Sequence, residues 1–209
     1  MKRRLAAAAF MIAAAATAIG LSASTALADA TTTLTYPVTG STYLSAPDTT
    51  VSLGPGTLTT TADLTTGALT GSLSLPPATG SFTELGLVPV TATTEFIQQG
   101  QTTGTLTIAD GVPTVTATSY VTIRITSLTV AGIPVPPGPF CQTITPAEIT
   151  VTSQPGFKLL LGGTVSGSYT VPLFNNCGLL NVETPVINAT LPGPGNTITL
   201  TLGTATVGS

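Results

Sequence analysis

Residues 105–126, TLTIADGVPTVTATSYVTIRIT, decide the fold of this chain. From residue 114 onward apolar and hydroxyl-bearing side chains alternate, as in a β-strand with one buried face. Ahead of that strand, Asp110-Gly111 favours the positive φ angles of a tight turn, and Leu106 and Ile108 belong to the partner strand. The apolar face consists of Val115, Ala117, Val121, Ile123 and Ile125. The stretch therefore predicts a β-hairpin with a long second strand.

The same period of two recurs along most of the chain. Residues 58–64 and 68–75 alternate on either side of Thr65-Thr66-Gly67, which predicts a second hairpin. The 22 glycines and 17 prolines fall between such runs and disfavour long helices. Further strands are predicted at 33–38, 42–53, 80–85, 87–97, 127–133, 144–152, 163–171, 182–190 and 196–207. The sequence predicts an all-β protein, an antiparallel sandwich or barrel.

The N-terminus has the three parts of a secretory signal peptide. Lys2, Arg3 and Arg4 precede an apolar run over 5–21, and Ala26-Leu27-Ala28 forms a small-residue cleavage site. A membrane anchor is the alternative, but the apolar run is short and alanine-rich for a stable span of roughly 20 residues. We therefore expect residues 1–28 to be removed, and the mature protein to be secreted without a transmembrane anchor.

Residues 29–209 are expected to form a single β-domain. Its longest interruption is a proline-rich crossover at 132–141, where four prolines cannot donate to a strand ladder. A division into two domains there is disfavoured. Both cysteines lie beyond residue 140, and the remaining stretch of about 70 residues is marginal for independent folding.

The two cysteines, Cys141 and Cys177, are expected to form a disulfide, because an exported chain meets an oxidising compartment. The bridge would close a loop of 35 intervening residues, worth roughly 3–4 kcal/mol in the chain-entropy model. The sequence has no histidine, and two cysteines do not complete a zinc site, so no metal site is expected.

Charge restricts the possible partners. Without residues 1–28 the chain keeps Arg124 and Lys158 against eight carboxylates, a formal charge of −6. Two cations cannot form a patch for phosphate backbones or anionic lipids, so nucleic acid is not an expected partner. The polar surface must consist largely of threonine and serine, which suits a protein at the cell exterior beside neutral wall glycan or an envelope protein.

The sequence offers only weak catalytic candidates. Acyl transfer needs a base, usually histidine, which is absent. Ser153 and Lys158 are separated by the turn-forming Gln154-Pro155-Gly156 and are not expected to form a dyad. Glu84, Glu95 and Asp63 lack aromatic platforms for a sugar substrate, so a hydrolase is a distant alternative. These acids are expected at the surface, one of them paired with Arg124, and neither a catalytic residue nor a cofactor is predicted.

An apolar interior leaves a second function open. The inward faces of a closed barrel could line a ligand cavity as readily as a solid core. Small residues expected to point inward, Gly71, Ala62, Ala92 and Ala117, leave room inside. A carrier of an apolar ligand or lipid would require a continuous cavity of roughly 300 Å³ or more.

Four segments of the mature chain carry a resemblance to known proteins. They are 34–40 (LTYPVTG), 53–58 (LGPGTL), 174–180 around Cys177, and 192–198 (PGPGNTI). Together they resemble a group of small secreted β-proteins from actinobacteria with no assigned activity. The resemblance implies a bacterial origin and an extracellular compartment, and it implies no site residues. The sequence as a whole predicts a non-enzymatic, secreted or envelope-associated β-domain that acts by surface interaction or as a structural component.

Overall fold

The computed structural model describes residues 31–84 and 87–208. The predicted signal peptide, residues 1–28, lies outside the described residues. The remainder is built almost entirely of antiparallel strands, as the alternating pattern predicts. The strands are β1 Thr31–Leu44, β2 Thr49–Asp63, β3 Ala68–Ser74, β4 Ala78–Glu84, β5 Val88–Gln98, β6 Thr102–Ala109, β7 Val112–Val130, β8 Ile133–Pro134, β9 Gln142–Thr143, β10 Ala147–Ser153, β11 Gly163–Val171, β12 Phe174–Asn175, β13 Gly193–Leu202 and β14 Thr206–Gly208.

The hairpin predicted at 105–126 is present. Ala109 pairs with Val112, which leaves Asp110 and Gly111 as a two-residue turn with φ angles of +52° and +77°. Positive φ at both central positions is the geometry that matches the twist of the flanking strands. The second strand, β7, runs for 19 residues and pairs with several neighbours in turn.

Eight strands close into a barrel. The first part of β7 pairs with β6 along one edge and, through residues 116–121, with β10 along the other. Each further neighbour is antiparallel, and the pairings return to the starting strand. The order round the ring is β7, β6, β3, β2, β1, β13, β11, β10. Closure removes the sheet edges that would otherwise invite pairing with other chains.

The register sets the size of the barrel. From Thr33, successive paired residues lead once round the ring and return to β1 at Tyr43, ten residues farther along. A stagger of this kind tilts the strands steeply and gives an eight-stranded barrel an interior that side chains can just fill or that can hold a small ligand. The residues on this path are Thr33, Thr61, Thr70, Thr103, Thr118, Thr150, Ser168, Thr197 and Tyr43. All bear hydroxyls and none is buried, so the outer wall is neutral and polar.

Above the barrel the sheet continues as a two-layered region. The second part of β7 pairs with β5, and β5 pairs with β4. These strands face the β1–β2 hairpin, where a Cβ on Gly80 would lie 2.6 Å from a Val51 methyl carbon. Any larger residue at this position would require the Val51 side chain to move, so Gly80 favours the close approach of the two layers. A barrel at one end and a sandwich-like pair of layers at the other thus share one sheet.

One strand prediction was wrong. Residues 182–190 include α1, a helix over Thr184–Thr190, which follows a 3₁₀ turn at Leu179–Asn181. Pro185 lies in the first turn, where its fixed φ suits a helix, and Ile187 is the helical side chain that is buried. Because Ile187 is the buried residue among these seven, the segment shows neither the 3.6-residue apolar repeat of a helix nor the two-residue repeat of a strand. Within the described residues these helical segments are too short to cross a membrane.

Candidate functional site

Cys141 and Cys177 are bonded, with 4.3 Å between their Cα atoms, and both are fully buried. The bond joins the end of the proline-rich crossover to the irregular chain before α1. Beside it, β9 and β12 form a short ladder in which Phe174 pairs with Thr143. The Cys141 carbonyl also accepts a hydrogen bond from the Ile125 amide of β7, 2.8 Å away. The disulfide thus fixes two loops against the longest strand.

Side-chain amides hold the backbone of these loops in place. Asn188 accepts a hydrogen bond from the Phe174 amide at 2.7 Å and donates to the Phe174 carbonyl at 3.0 Å. Asn181 accepts one from the Cys177 amide at 3.1 Å. Such bonds replace the strand ladder that irregular backbone lacks. The loop surface is therefore ordered by its own polar groups, although many of its apolar side chains face outward.

An apolar surface, here named the disulfide patch, covers these loops. Its members are large apolar side chains that are each more than half exposed. They are Phe140, Ile144, Leu173, Leu179, Leu180, Val182 and Val186. Phe140 precedes Cys141, Leu179 follows Cys177 by two residues, and the Ile144 amide donates to the Leu173 carbonyl. Leu179 and Leu180 are 82% and 89% exposed, so their side chains pack very little against the rest of the described chain.

A shallow depression of about 730 Å³ adjoins the disulfide patch. Its wall contains Pro146 and Pro172, which lie within two residues of Ile144 and next to Leu173. Glu148 is its acidic member, and the rest of the lining is mainly hydroxyl, proline and glycine. The depression is open and weakly charged, and it lies next to the Ile144 and Leu173 part of the disulfide patch.

The acidic candidates of the sequence are not brought together. Glu95 forms an ion pair with Arg124, whose Nε lies 3.1 Å from Oε2, and both side chains are about one-third exposed. Asp63 accepts hydrogen bonds from Thr65 and Thr66 in the β2–β3 turn, and those from Thr66 above all lower the pKa of its carboxyl group. Glu84 ends β4, at the opposite end of the molecule. The expected pairing of one acid with Arg124 is present, and no carboxylate pair flanks a cleft in the described chain.

The residues considered for a serine–lysine dyad also have separate roles. Ser153 Oγ accepts a hydrogen bond from the Val115 amide at 2.9 Å and joins β10 to β7. Lys158 is exposed, and its backbone pairs with that of Gly162 in the loop that closes the lower end of the barrel. Among the described residues no group of three or more metal-ligating side chains is found.

The interior of the barrel is not completely filled. A cavity of about 90 Å³ lies within the ring of eight strands, and a second of about 50 Å³ lies in the two-layered region. Phe157 and Leu159 of the β10–β11 loop close the lower end, where Tyr36 Oη donates to the Leu159 carbonyl at 2.6 Å. Burial raises the pKa of Tyr36 to about 12. Neither cavity reaches the size expected for a carrier of a drug-sized ligand.

Comparison with known proteins provides no relatives: no family model, no curated protein and no solved structure matches this chain. The site must therefore be assessed from its own geometry. The sequence indicated the disulfide but not the patch around it. The sequence feature that could have indicated the patch is the pair Leu179-Leu180. It lies between Gly178 and Asn181 and belongs to no apolar repeat of a strand or a helix.

Proposed function

We propose that this protein is a non-enzymatic binding module of the bacterial cell exterior, secreted or held at the envelope. It acts through the disulfide patch, and its partner is an envelope protein with a complementary apolar surface. The observation that carries this proposal is the presence of seven exposed apolar side chains on the two segments that the disulfide joins. Apolar patches of this kind on soluble proteins commonly mark sites of interaction.

The contrast with the rest of the outer wall supports this assignment. The barrel exterior is lined mainly by threonine and serine, although Ile108, Val112 and Val207 are exposed there too, so it offers an apolar partner less surface. The backbone of the patch is ordered by a disulfide and by amide hydrogen bonds, which reduces the loop entropy that is lost on binding. The cations of the described residues are Arg124, which is paired with Glu95, and Lys158, so the surface offers little positive charge for an anionic partner.

A disulfide agrees with an oxidising compartment, and the signal-peptide pattern and the resemblance to secreted actinobacterial proteins point the same way. The dispersion of the acids supports a non-enzymatic role.

The test is sedimentation of the purified protein with cell envelopes from the bacterium that produces it. The double variant Leu179→Ser/Leu180→Ser should lose at least tenfold in envelope binding, because it removes the two most exposed members of the patch. The matched control is Leu160→Ser/Leu161→Ser, which replaces two exposed leucines in the loop at the opposite end of the barrel. It should bind as the unaltered protein does.

Treatment of the envelopes with protease should abolish binding, whereas extraction of lipids should leave it. Equal binding by the patch variant and the unaltered protein would contradict the assignment of the patch. Binding that survives protease but not lipid extraction would exclude a protein partner.

A further inference from the structure

The depression beside the disulfide patch lies where two barrel strands part. In the described chain β10 and β11 pair only along residues 149–153 of β10. Above Ile149 the two segments have no ladder, and they meet again where the Ile144 amide donates to the Leu173 carbonyl at 2.8 Å. The outer wall of the barrel is therefore recessed between these two connections.

Prolines account for this gap in the wall. Pro146 and Pro172 stand on its two sides, and both line the depression. Neither has an N–H to donate, so they cannot contribute to a ladder between the two segments. Pro194 and Gly195, at the beginning of β13, form a further side. The local sequence thus keeps open a recess of about 730 Å³, which is within the usual range of roughly 300–1,000 Å³ for ligand sites.

The side chains that line the recess are mostly neutral and polar. Glu148, Thr150, Ser168 and Thr170 are all exposed there. Thr150 pairs with Ser168 on β11, and its hydroxyl lies 2.8 Å from that of Thr118 on β7. Because a hydroxyl group both donates and accepts, the recess offers a ligand hydrogen-bonding groups of both kinds and one carboxylate.

An aromatic ring borders the recess. Tyr120 of β7 pairs with Glu148 of β10, so their Cβ atoms lie about 5 Å apart on the outer face. Tyr120 is 45% exposed, and Tyr43 is the other exposed tyrosine of the described chain. Tyr43 lies on β1, four strands away round the ring, where its Oη donates to Asp48 at 2.8 Å. The recess therefore has an accessible ring directly beside its carboxylate.

This combination restricts the class of ligand. A sugar has C–H groups that pack on an aromatic ring and hydroxyl groups that donate strong hydrogen bonds to a carboxylate. An acidic sugar would meet Glu148 without a compensating cation, because Arg124 is engaged by Glu95 and Lys158 lies in the loop at the lower end. From β7 to β13 the recess crosses three strand spacings, about 14 Å, which is more than one sugar ring requires.

We propose that the depression binds a short neutral oligosaccharide, with one sugar ring packed on Tyr120 and its hydroxyl groups bonded to Glu148 and the neighbouring threonine and serine side chains. The site adjoins the disulfide patch but uses none of its exposed side chains, so it does not depend on the patch. Since the recess is open, much of the ligand stays in water and binding is weak. It therefore adds little to the sedimentation of dilute protein with envelopes.

The test is a titration of the ¹⁵N-labelled mature protein, followed by two-dimensional NMR, with millimolar tetramers of glucose, of mannose and of N-acetylglucosamine. With at least one of the three we expect saturable shifts of the amide signals of 145–150 and 168–172. Tyr120→Ala should bind that sugar at least fivefold more weakly, because the ring is removed. The matched control is Tyr43→Ala, which removes the other exposed tyrosine and should bind as the unaltered protein does.

The carboxylate has its own variant. Glu148→Gln keeps the shape of the side chain and should bind the sugar at least threefold more weakly, and circular dichroism should show that each variant folds. Leu179→Ser/Leu180→Ser should bind it normally, so loss of sugar binding and loss of envelope binding are separate results.

Absence of saturable shifts with all three tetramers, or equal affinity in Tyr120→Ala and the unaltered protein, would overturn the site. Equal affinity in Glu148→Gln would overturn the role of the carboxylate. Tighter binding of a galacturonate or glucosamine tetramer than of any neutral tetramer would overturn the neutral class, because these carry carboxylate and ammonium groups.

Discussion

Amide side chains hold together the irregular parts of this fold, residue by residue. Asn196 is fully buried on β13, where it accepts a hydrogen bond from the Ser45 amide at 3.0 Å. It donates to the carbonyls of Tyr169 and Gly193, at 3.2 and 2.7 Å. Like Asn188, it satisfies backbone groups that the strand ladders leave without a partner.

Asn196→Ala should therefore be one of the more damaging single substitutions. It leaves three buried or half-buried backbone groups unsatisfied, and we expect the free energy of unfolding to fall by about 3 kcal/mol. Urea denaturation followed by circular dichroism measures this. Thr199→Ala, on the exposed face of the same strand, should change it by less than about 0.5 kcal/mol. Equal losses in the two variants would show that the amide network contributes little.

Tyr36 should make stability depend on alkaline pH. Its pKa is raised to about 12 by burial, whereas in the unfolded chain it titrates near 10. Between these values the unfolded chain loses the phenolic proton and the folded chain keeps it. Stability is then complete below pH 10 and declines as the pH rises toward 12. Urea midpoints at pH 8, 10 and 11 should fall in that order, and Tyr36→Phe should reduce the slope. An identical slope in Tyr36→Phe would assign the effect to other groups.

At the scale of elements, the disulfide fixes the irregular segments, whereas most of the barrel lies outside the loop that it closes. The loop between Cys141 and Cys177 contains two of the eight barrel strands, β10 and β11, and six lie outside it. The half-cystines themselves sit in the irregular segments that support the patch. The bond therefore positions the patch more than it defines the barrel.

Reduction of Cys141–Cys177 should lower the free energy of unfolding by about 3–4 kcal/mol without abolishing the fold. Far-UV circular dichroism in native buffer with a reductant should keep its β signature, while the urea midpoint falls. Amide hydrogen exchange should accelerate first at 173–183, next to the released bond. Complete unfolding on mild reduction would show that the bond is required by the barrel itself.

Some elements of this fold could be predicted from the sequence and others could not. The hairpin at 105–126 could be predicted because its alternation and its Asp-Gly turn are both local. Closure of the barrel could not, since it depends on β7 pairing with β10 and on β1 pairing with β13, partners distant in the chain. Nor could α1 or the disulfide patch be predicted. A segment that is held by side-chain amides and a disulfide does not need regularly spaced apolar residues, so its sequence carries no strand or helix pattern. Most of the candidate site lies in such irregular segments.

For the whole molecule, the surface combines weak charge with unequal hydrophobicity. The described residues carry seven carboxylates against Arg124 and Lys158, so the folded protein is mildly acidic at neutral pH. Neutral hydroxyls cover most of the barrel, and seven large apolar side chains that are more than half exposed lie on the segments around the disulfide. At neutral pH, net negative charge opposes the approach of two such patches.

Self-association should therefore increase as the pH falls from 7 to 4. Carboxyl groups take up protons as the pH falls toward 4, so the net negative charge of the protein decreases. Asp63, whose pKa is lowered, is expected to be among the last to protonate. Sedimentation velocity at the two pH values should show monomers at pH 7 and dimers or larger species at pH 4.

Leu179→Ser/Leu180→Ser should remain monomeric at both pH values, whereas Leu160→Ser/Leu161→Ser should associate as the unaltered protein does. Association of the patch variant at pH 4 would mean that the hydroxyl-covered wall, rather than the disulfide patch, supplies the contact once charge is lost.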